Sequence, residues 1–314
     1  MTTTVKQRFG EYTLHEKIGI GATADVWVAV KDGAENFVAL KVYAKIKHLE
    51  NVAFDIFYEE FEKTKLLNHP NVLNTVDFFV SNHSPALALP LYSNCLEKEL
   101  TERKIKFHKG NSSTNSYFND EEILDIVVQI SSGLDYLHKQ NIIHNDIKPA
   151  NIVFNRLPYG IIQYAIIDFG ISIDIKNYVK NIYHKEILNS KTLLYAAPEK
   201  LEENHTEPKS DIFSLGMLIY ELAGGRNKNV CAGDIVQNGG RIFLENRETT
   251  NPIQLILCAC LKKNPNDRPC AEILHKMVVK YQKDKNINHL KCKNHKYTFL
   301  KTIHSFFSNI FKNK

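Results

Sequence analysis

The chain reads Ile143-His144-Asn145-Asp146-Ile147-Lys148-Pro149-Ala150-Asn151 near its middle, and Ile167-Asp168-Phe169-Gly170 follows across a predicted hairpin. The first stretch brings a carboxylate, an ammonium group and a carboxamide into one short segment, and the second adds another carboxylate. A carboxylate can orient an attacking hydroxyl, an ammonium group can neutralise phosphate, and hard oxygen ligands can hold Mg²⁺. These two stretches therefore predict a site for phosphoryl transfer.

Length and composition are those of a globular protein with one large domain or two closely joined ones. The 314 residues are 43% hydrophobic and 24% charged, so a sizeable core is expected. The formal charge of +5 is mild, and much of the excess falls after Tyr281. Because no signature of an RNA-binding module or a zinc finger occurs, we expect no nucleic-acid partner.

The N-terminal residues Met1-Thr2-Thr3-Thr4-Val5-Lys6 contain no apolar stretch, which argues against a Sec signal. No uninterrupted apolar segment is long enough to span a bilayer. We therefore expect a cytoplasmic location, with peripheral membrane association and secretion into a host cell as open alternatives.

The six cysteines match the spacing of no zinc site and of no tight disulfide framework. Cys258 and Cys260 lie in an apolar helical run, where they would point about 200° apart and could not share a metal ion. We interpret the cysteines as thiols of a reducing compartment.

The first part of the chain has the pattern of β-strands with one helix. Apolar runs, alternating or continuous, predict strands over 12–18, 24–30, 37–43, 73–80 and 86–91. A helix is predicted over about 52–67, because Asn68-His69-Pro70 stops it.

The second part has mainly helical periodicity. It is strongest over 120–140, with Asn119 or Asp120 as the N-cap. Further helices are predicted over about 212–222, 252–261 and 271–282. The segment 101–116 is rich in Lys, Asn and Ser, and we predict a mobile surface insertion there.

Five further segments stand in order around the two central stretches. They read Gly19-Ile20-Gly21-Ala22-Thr23-Ala24-Asp25-Val26, Val38-Ala39-Leu40-Lys41, Thr192-Leu193-Leu194-Tyr195-Ala196-Ala197-Pro198-Glu199, Asp211-Ile212-Phe213-Ser214-Leu215-Gly216 and Asn264-Pro265-Asn266-Asp267-Arg268-Pro269. Taken alone, the glycine pair is equally consistent with an ordinary hairpin turn, and the alternative for Lys41 is a surface lysine on an edge strand. Together with the central stretches, they resemble the eukaryotic-like (Hanks-type) serine/threonine protein kinase family over roughly 12–281.

This resemblance implies an α+β fold with two lobes. The kinase domain would span 12–281, with a small five-stranded antiparallel N-lobe and one helix (12–91), a hinge (90–94) and a larger, mainly helical C-lobe (95–281). Residues 282–314 would form a basic connector and an amphipathic C-terminal helix.

The resemblance also implies roles for individual residues. Asp146 would orient the substrate hydroxyl and Lys148 would steady the γ-phosphate, while Asn151 and Asp168 would hold Mg²⁺, with Mn²⁺ as a further candidate. The implied ATP-binding set is Ile18, Gly19, Gly21, Val26, Ala39, Lys41, Glu60, Leu89, Leu91, Tyr92 and Val153. Structural and regulatory roles fall to His144, Asn145, Phe169, Gly170, Thr192, Glu199, Asp211 and Arg268.

Three of these assignments carry a specific contact. Glu60 is the helix partner of Lys41 by the family's spacing, with Glu59 and Glu62 as register alternatives. Asp211 would bond the backbone of the catalytic loop. Arg268 would pair with Glu199.

The sequence departs from the family pattern at four positions. Asn145 replaces an arginine that in many kinases binds a phosphorylated residue of the activation loop, so we predict activity independent of that phosphate. Ala24 replaces a glycine, which is tolerated where the backbone φ is negative. Thr64 and Thr75 replace apolar members of a stack with His144 and Phe169, and they could instead bond each other.

The segment after Tyr281 lies outside the family pattern. Its lysines form a basic connector, and apolar residues then recur at helical spacing within 297–312. Three occupants of the apolar face stay open: the kinase lobes, a membrane interface with anionic lipid, and the groove of a partner protein.

The function implied is transfer of the γ-phosphate of ATP to protein Ser or Thr hydroxyls. Lys148, two residues after Asp146, and Thr192 follow the serine/threonine pattern. The alternative is a pseudokinase or scaffold that binds nucleotide and acts through protein interactions; Lys41, Asp146, Asn151 and Asp168 argue against it.

Overall fold

The structure, a computed structural model, describes residues 7–20, 24–43, 58, 61–62, 64–108, 116–168, 194–224 and 251–289, except for the side chains of 108 and 285–289. These residues form two compact units. The first consists of 7–96 with 150–168, and the second of 97–149 with 194–224 and 251–289. The first is built on antiparallel sheet and the second on helices, so the predicted α+β class is confirmed.

The main sheet of the first unit has six strands. They are β1 Arg8–Phe9, β2 Tyr12–Ile20, β3 Ala24–Lys31, β4 Phe37–Tyr43, β5 Asp77–Ser81 and β6 Ser84–Pro90. Their order is β1-β2-β3-β4-β6-β5, with all neighbours antiparallel. Five strands were predicted, and the additional one, β1, is a two-residue strand paired with the beginning of β2.

The two faces of this sheet carry different residues, because side chains alternate along each strand. One face forms the buried core, which consists of Tyr12, Leu14, Ala29, Leu40, Ala86 and Ala88. Val26 stands opposite Lys41, and Ala39 opposite Leu89. The register therefore places these four residues of the predicted ATP site together on the other face.

A second, three-stranded sheet also belongs to the first unit. It consists of β7 Asn94–Cys95, β8 Ile152–Arg156 and β9 Ile162–Ile166, in the order β7-β8-β9. The backbone N–H of Leu73 donates to Ile166 O, and that of Ile166 donates to Asn71 O, both at 2.9 Å. The predicted strand 73–80 is wrong at its start for this reason, and 150–168 joins the first unit although the sequence placed it in a C-lobe of 95–281.

Helices make up most of the second unit. Their bounds are α1 Leu96–His108, α2 Asp120–Lys139, α3 Pro198–Glu202, α4 Pro208–Leu222, α5 Pro252–Cys260 and α6 Ala271–His289. The predicted positions of α2, α4, α5 and α6 are confirmed, although α4 starts earlier and α6 ends later than expected. None of the helices in the described ranges is both long and apolar enough to cross a membrane.

The beginning of α2 is fixed by a capping box. The Asn119 side chain accepts the Glu122 N–H at 2.9 Å, and the Glu122 carboxylate accepts the Asn119 N–H at 2.8 Å. Each side chain thus satisfies a backbone donor that the first helical turn leaves without a partner. Of the two predicted N-caps, Asn119 is the one used.

The predicted surface insertion over 101–116 is wrong in its first half, because α1 continues to His108. Leu100 on this helix is only 3% exposed. Arg103 donates to both carboxylate oxygens of Glu122, at 2.9 and 3.0 Å, and Lys104 Nζ lies 2.6 Å from Glu221 Oε1. Tertiary ion pairs hold a helix that polar composition alone does not favour.

Cys260, at the end of α5, packs directly against Gly216 on α4. A Cβ added to Gly216 would lie 2.8 Å from Leu261 Cδ2 and 2.9 Å from Cys260 Cβ, so the contact needs glycine. Cys260 is fully buried there, and this burial raises the pKa of its thiol to about 12.

We expect Cys260 to resist thiol reagents in the native protein, because only the thiolate reacts and the side chain is enclosed. Mass-spectrometric mapping after a short maleimide pulse should find Cys95 and Cys270, which are half-buried, labelled before Cys260. In urea all three should label together. Native labelling of Cys260 at the rate of Cys270 would contradict this packing.

Candidate active site

Lys41 lies on β4 with its ammonium group almost fully enclosed. The residue is 9% exposed, Nζ lies 2.7 Å from Oδ1 of Asp168, and the same atom lies 5.3 Å from the centroid of the Tyr43 ring. Burial lowers the pKa of Lys41, but Asp168 and Tyr43 outweigh burial and hold the pKa above its ordinary value. Lys41 is therefore a permanent cation that can bind phosphate oxygens.

Asn151 and Asp168 stand at the same end of the β8–β9 hairpin. The pair Ile152–Ile166 ends the ladder, and the N–H of Ile167 extends it by donating to Asn151 O at 3.0 Å. Asp168 follows directly, with a φ of +59°, and Asn151 is 4% exposed. Local hairpin geometry thus explains why an Asn and an Asp distant in sequence are neighbours.

The donor set around this hairpin end suits a magnesium ion bound together with phosphate. Within the described ranges, no group of three or more His, Cys, Asp or Glu side chains could hold a metal ion. Mg²⁺ in phosphoryl-transfer sites needs only one or two carboxylates, because phosphate and water supply the remaining oxygens. One carboxylate from Asp168 and one amide oxygen from Asn151 match that requirement.

Asp146 is held by its own loop. Lys148 Nζ lies 2.9 Å from Oδ2 of Asp146, and the Asp146 N–H donates to Nδ1 of His144 at 3.1 Å. His144 is 2% exposed, which agrees with its predicted structural role. These residues belong to the second unit, and the chain passes into the first between Pro149 and Ala150.

Asp211 on α4 anchors the backbone of this loop, and the predicted contact is confirmed. Its Oδ2 accepts the His144 N–H at 2.9 Å, and its Oδ1 accepts the Asn145 N–H at 2.8 Å. Asp211 is fully buried, and His138 Nε2 lies 2.9 Å from Oδ2. His138 was not predicted, because a histidine in the last turn of a helix reads as an ordinary C-terminal cation.

Asn145 adopts a left-handed backbone conformation, with a φ of +65°. Asn occupies this region more easily than most side chains. Its backbone oxygen accepts a hydrogen bond from Nζ of Lys200 at 2.6 Å. A cation therefore does lie beside position 145, although sequence reasoning missed it because it comes from α3.

The predicted pair between Glu199 and Arg268 is confirmed and is bidentate. The two bonds measure 2.7 and 2.8 Å, and the Arg268 side chain is fully buried. Ser210 adds a third bond to Glu199, at 2.6 Å. Burial raises the pKa of Glu199, but the bonds from Arg268 and Ser210 outweigh burial and hold it below its ordinary value.

The remaining described residues of the predicted ATP set lie on strands or directly after them. A Cβ on Gly19 would come within 3.3 Å of Val26 Cβ, so glycine allows β2 and β3 to approach closely. Ala24 begins β3, and its φ is not positive. Alanine is therefore tolerated in place of the family's glycine. The others have separate places on the first unit: Ile18 on β2, Leu91 and Tyr92 after β6, and Val153 on β8.

Several predicted residues lie outside the described part of the chain. They are Gly21, Glu59, Glu60, Phe169, Gly170, Thr192 and the segment 297–312. The register alternative Glu62 pairs with Lys65 instead of Lys41. Thr64 donates to Thr75 Oγ1 at 2.9 Å, which confirms the bond suggested for that pair.

Comparison with known proteins agrees with this arrangement. The sequence model of the protein kinase domain matches residues 12–279. The chain is similar to the calcium and calcium/calmodulin-dependent serine/threonine-protein kinase DMI-3 of Medicago truncatula, with 29% identity over 70% of this chain and 40% of that protein. It is also similar to calcium-dependent protein kinase 5 of Plasmodium berghei (29% identity, 89% of this chain, 47% of that protein).

A third relative is germinal center kinase 3 of Caenorhabditis elegans, with 28% identity over 87% of this chain and 48% of that protein. The chain spans less than half the length of each of these three relatives.

Proposed function

Because the chain belongs to the protein kinase domain family, we propose that it is a serine/threonine protein kinase that uses ATP. The observation that carries the proposal is the buried Lys41 cation, 2.7 Å from Asp168, at the hairpin end that also holds Asn151. The Medicago truncatula relative, whose name specifies a serine/threonine-protein kinase, favours Ser and Thr as acceptors, and so does Lys148 two residues after Asp146.

The reaction breaks the bond between the γ-phosphorus and the β,γ-bridging oxygen and forms a bond to the Ser or Thr oxygen. Asp146 orients the attacking hydroxyl and accepts its proton, and Lys148 neutralises charge on the transferred phosphoryl group. Lys41 binds the α- and β-phosphates that remain on ADP. His144 and Asp211 keep the Asp146 segment in place.

Asn151 and Asp168 would hold the divalent metal ion that accompanies the nucleotide. The ion would supply positive charge against the phosphate oxygens. Both Mg²⁺ and Mn²⁺ accept this oxygen donor set. Lys41 Nζ lies 2.7 Å from the Asp168 carboxylate, so Lys41 and the metal ion would share that carboxylate.

The test is incubation of the full chain with γ-labelled ATP, Mg²⁺ or Mn²⁺, and generic protein substrates, followed by phosphoamino-acid analysis. Label on Ser and Thr is the expected result. Nucleotide binding without any transfer, measured by calorimetry on the same preparation, would favour the pseudokinase alternative. Label confined to Tyr would contradict the acceptor class.

Activity should not depend on phosphorylation of Ser190 or Thr192. Asn145 has no charge with which to bind a phosphate, and the loop around it is held by Asp211 and Lys200 from within the protein. We expect phosphatase-treated enzyme and a Ser190→Ala/Thr192→Ala variant to keep kcat within about threefold of the untreated enzyme. Loss on phosphatase treatment, with rescue by renewed phosphorylation, would contradict this.

A further inference from the structure

Lys200 makes a long-range contact with the loop that carries Asp146. Its Nζ donates to the backbone oxygen of Asn145 at 2.6 Å, across 55 residues of sequence. Lys200 lies on α3 immediately after Glu199, whose buried bidentate pair with Arg268 fixes this helix. The ammonium group therefore extends from a helix that a buried ion pair anchors in the second unit.

The contact falls on the peptide unit that directly precedes the Asp146 side chain. The oxygen of this peptide accepts from Lys200, and its N–H, which belongs to Asp146, donates to Nδ1 of His144. A rotation of the peptide would break both bonds. Asn145 has a φ of +65°, a left-handed conformation that persists only where the surrounding structure holds it.

The side chain of Asn145 offers no equivalent support through its carbonyl group. Its Oδ1 is buried and has no hydrogen-bond partner among the described residues. The backbone N–H of the same residue donates to Asp211 Oδ1 at 2.8 Å. Asp211 and Lys200 therefore hold the two backbone polar groups of Asn145, its N–H and its oxygen.

We propose that Lys200 is a positioning residue for Asp146, and that its charge-assisted bond to the Asn145 carbonyl takes over the support of this loop from position 145. The inference rests on the proposed function and deepens it. Lys200 does not touch substrate; it sets the direction in which Asp146 meets the acceptor hydroxyl. A catalytic group displaced by about 1 Å can cost on the order of 100-fold in rate.

The test compares Lys200→Met, which keeps the aliphatic stem and removes the donor, with Lys200→Arg, which keeps a donor. Lys209→Met is the matched control, because Lys209 also donates to a backbone oxygen in the second unit, that of Asn266, at 3.1 Å. We expect Lys200→Met to lower kcat by about 10- to 100-fold with KM for ATP changed less than threefold. Lys200→Arg should recover most of kcat, and Lys209→Met should match wild type.

Each kcat is divided by the folded fraction of the variant, measured by circular dichroism. Lys200→Gln is measured as a second variant, for use if Lys200→Met does not fold. If the wild type is active and Lys200→Met is equally active, the proposed kinase function stands and the role of Lys200 is overturned. A loss that Lys209→Met shares, or that appears only in KM, would also overturn it. A folded wild type that transfers no phosphate would instead remove the proposed function and this inference with it.

Discussion

Replacement of Asp146 by asparagine is expected to lower kcat for phosphate transfer to protein by about 10²- to 10⁴-fold. Asparagine has nearly the same shape, so the backbone bonds from Asp146 to His144 and from Asn145 to Asp211 should remain. What is lost is the group that accepts the proton of the attacking hydroxyl, together with the 2.9 Å ion pair to Lys148. The change therefore acts on the chemistry and leaves the fold intact.

The measurement is kcat and KM for ATP with a generic protein substrate, together with nucleotide affinity by calorimetry. Asp135→Asn is the matched control, because Asp135 also pairs with a lysine, Lys139, on the exposed face of α2 at 2.7 Å. Such a surface pair contributes only about 0–1 kcal/mol. We expect Asp146→Asn to bind ATP as wild type does, and an unchanged kcat would exclude Asp146 as the proton acceptor.

The resemblance of the motifs to the kinase family predicted much of this site, and local geometry explains why the motif residues come together. Asn151 and Asp168 meet because they flank the two strands of one hairpin, and hairpin pairing follows from local sequence. Alternation along β4 predicts that Lys41 faces away from the core that contains Leu40. Asn119 and Glu122 form a capping box that the spacing alone allows.

The contacts that sequence reasoning missed join residues far apart in the chain. Lys200 reaches Asn145 across 55 residues, and His138 reaches Asp211 across 73. No local sequence pattern around Lys200 or His138 indicates which distant residue it will contact. The same limit explains the error over 101–108, where ion pairs to Glu122 and Glu221 favour a helix against the polar composition.

Replacement of Glu199 by glutamine is expected to cost about 3–5 kcal/mol of unfolding free energy, the usual cost of breaking a buried ion pair from one side. Arg268 is fully buried, and its guanidinium lies over the Phe213 ring, 4.9 Å from the centroid. Its remaining bonds are to backbone oxygens, which carry no net charge to neutralise it. The variant would leave a buried cation without its counter-ion.

Urea unfolding at neutral pH measures this cost. Glu202→Gln is the matched control on the same helix, since Glu202 and its partner Lys263 are 3.7 Å apart and each more than half exposed. We expect the control to change stability by less than about 1 kcal/mol. A double variant, Glu199→Leu/Arg268→Met, should recover part of the loss because it removes both charges. Equal stability of Glu199→Gln and wild type would contradict a structural role for the pair.

Acid should also weaken this stabilisation in the wild-type protein. The pKa of Glu199 is held below its ordinary value of 4.5 in the folded state, so its contribution to stability is fully present above pH 4.5. That contribution disappears as the pH falls through the lower, folded-state pKa, where the carboxylate takes up a proton and Arg268 loses its partner. Glu199→Gln has no such proton to bind. The stability difference between the two proteins should therefore shrink below pH 4.5, and a difference that stays constant into acid would show that folding does not lower the pKa of Glu199.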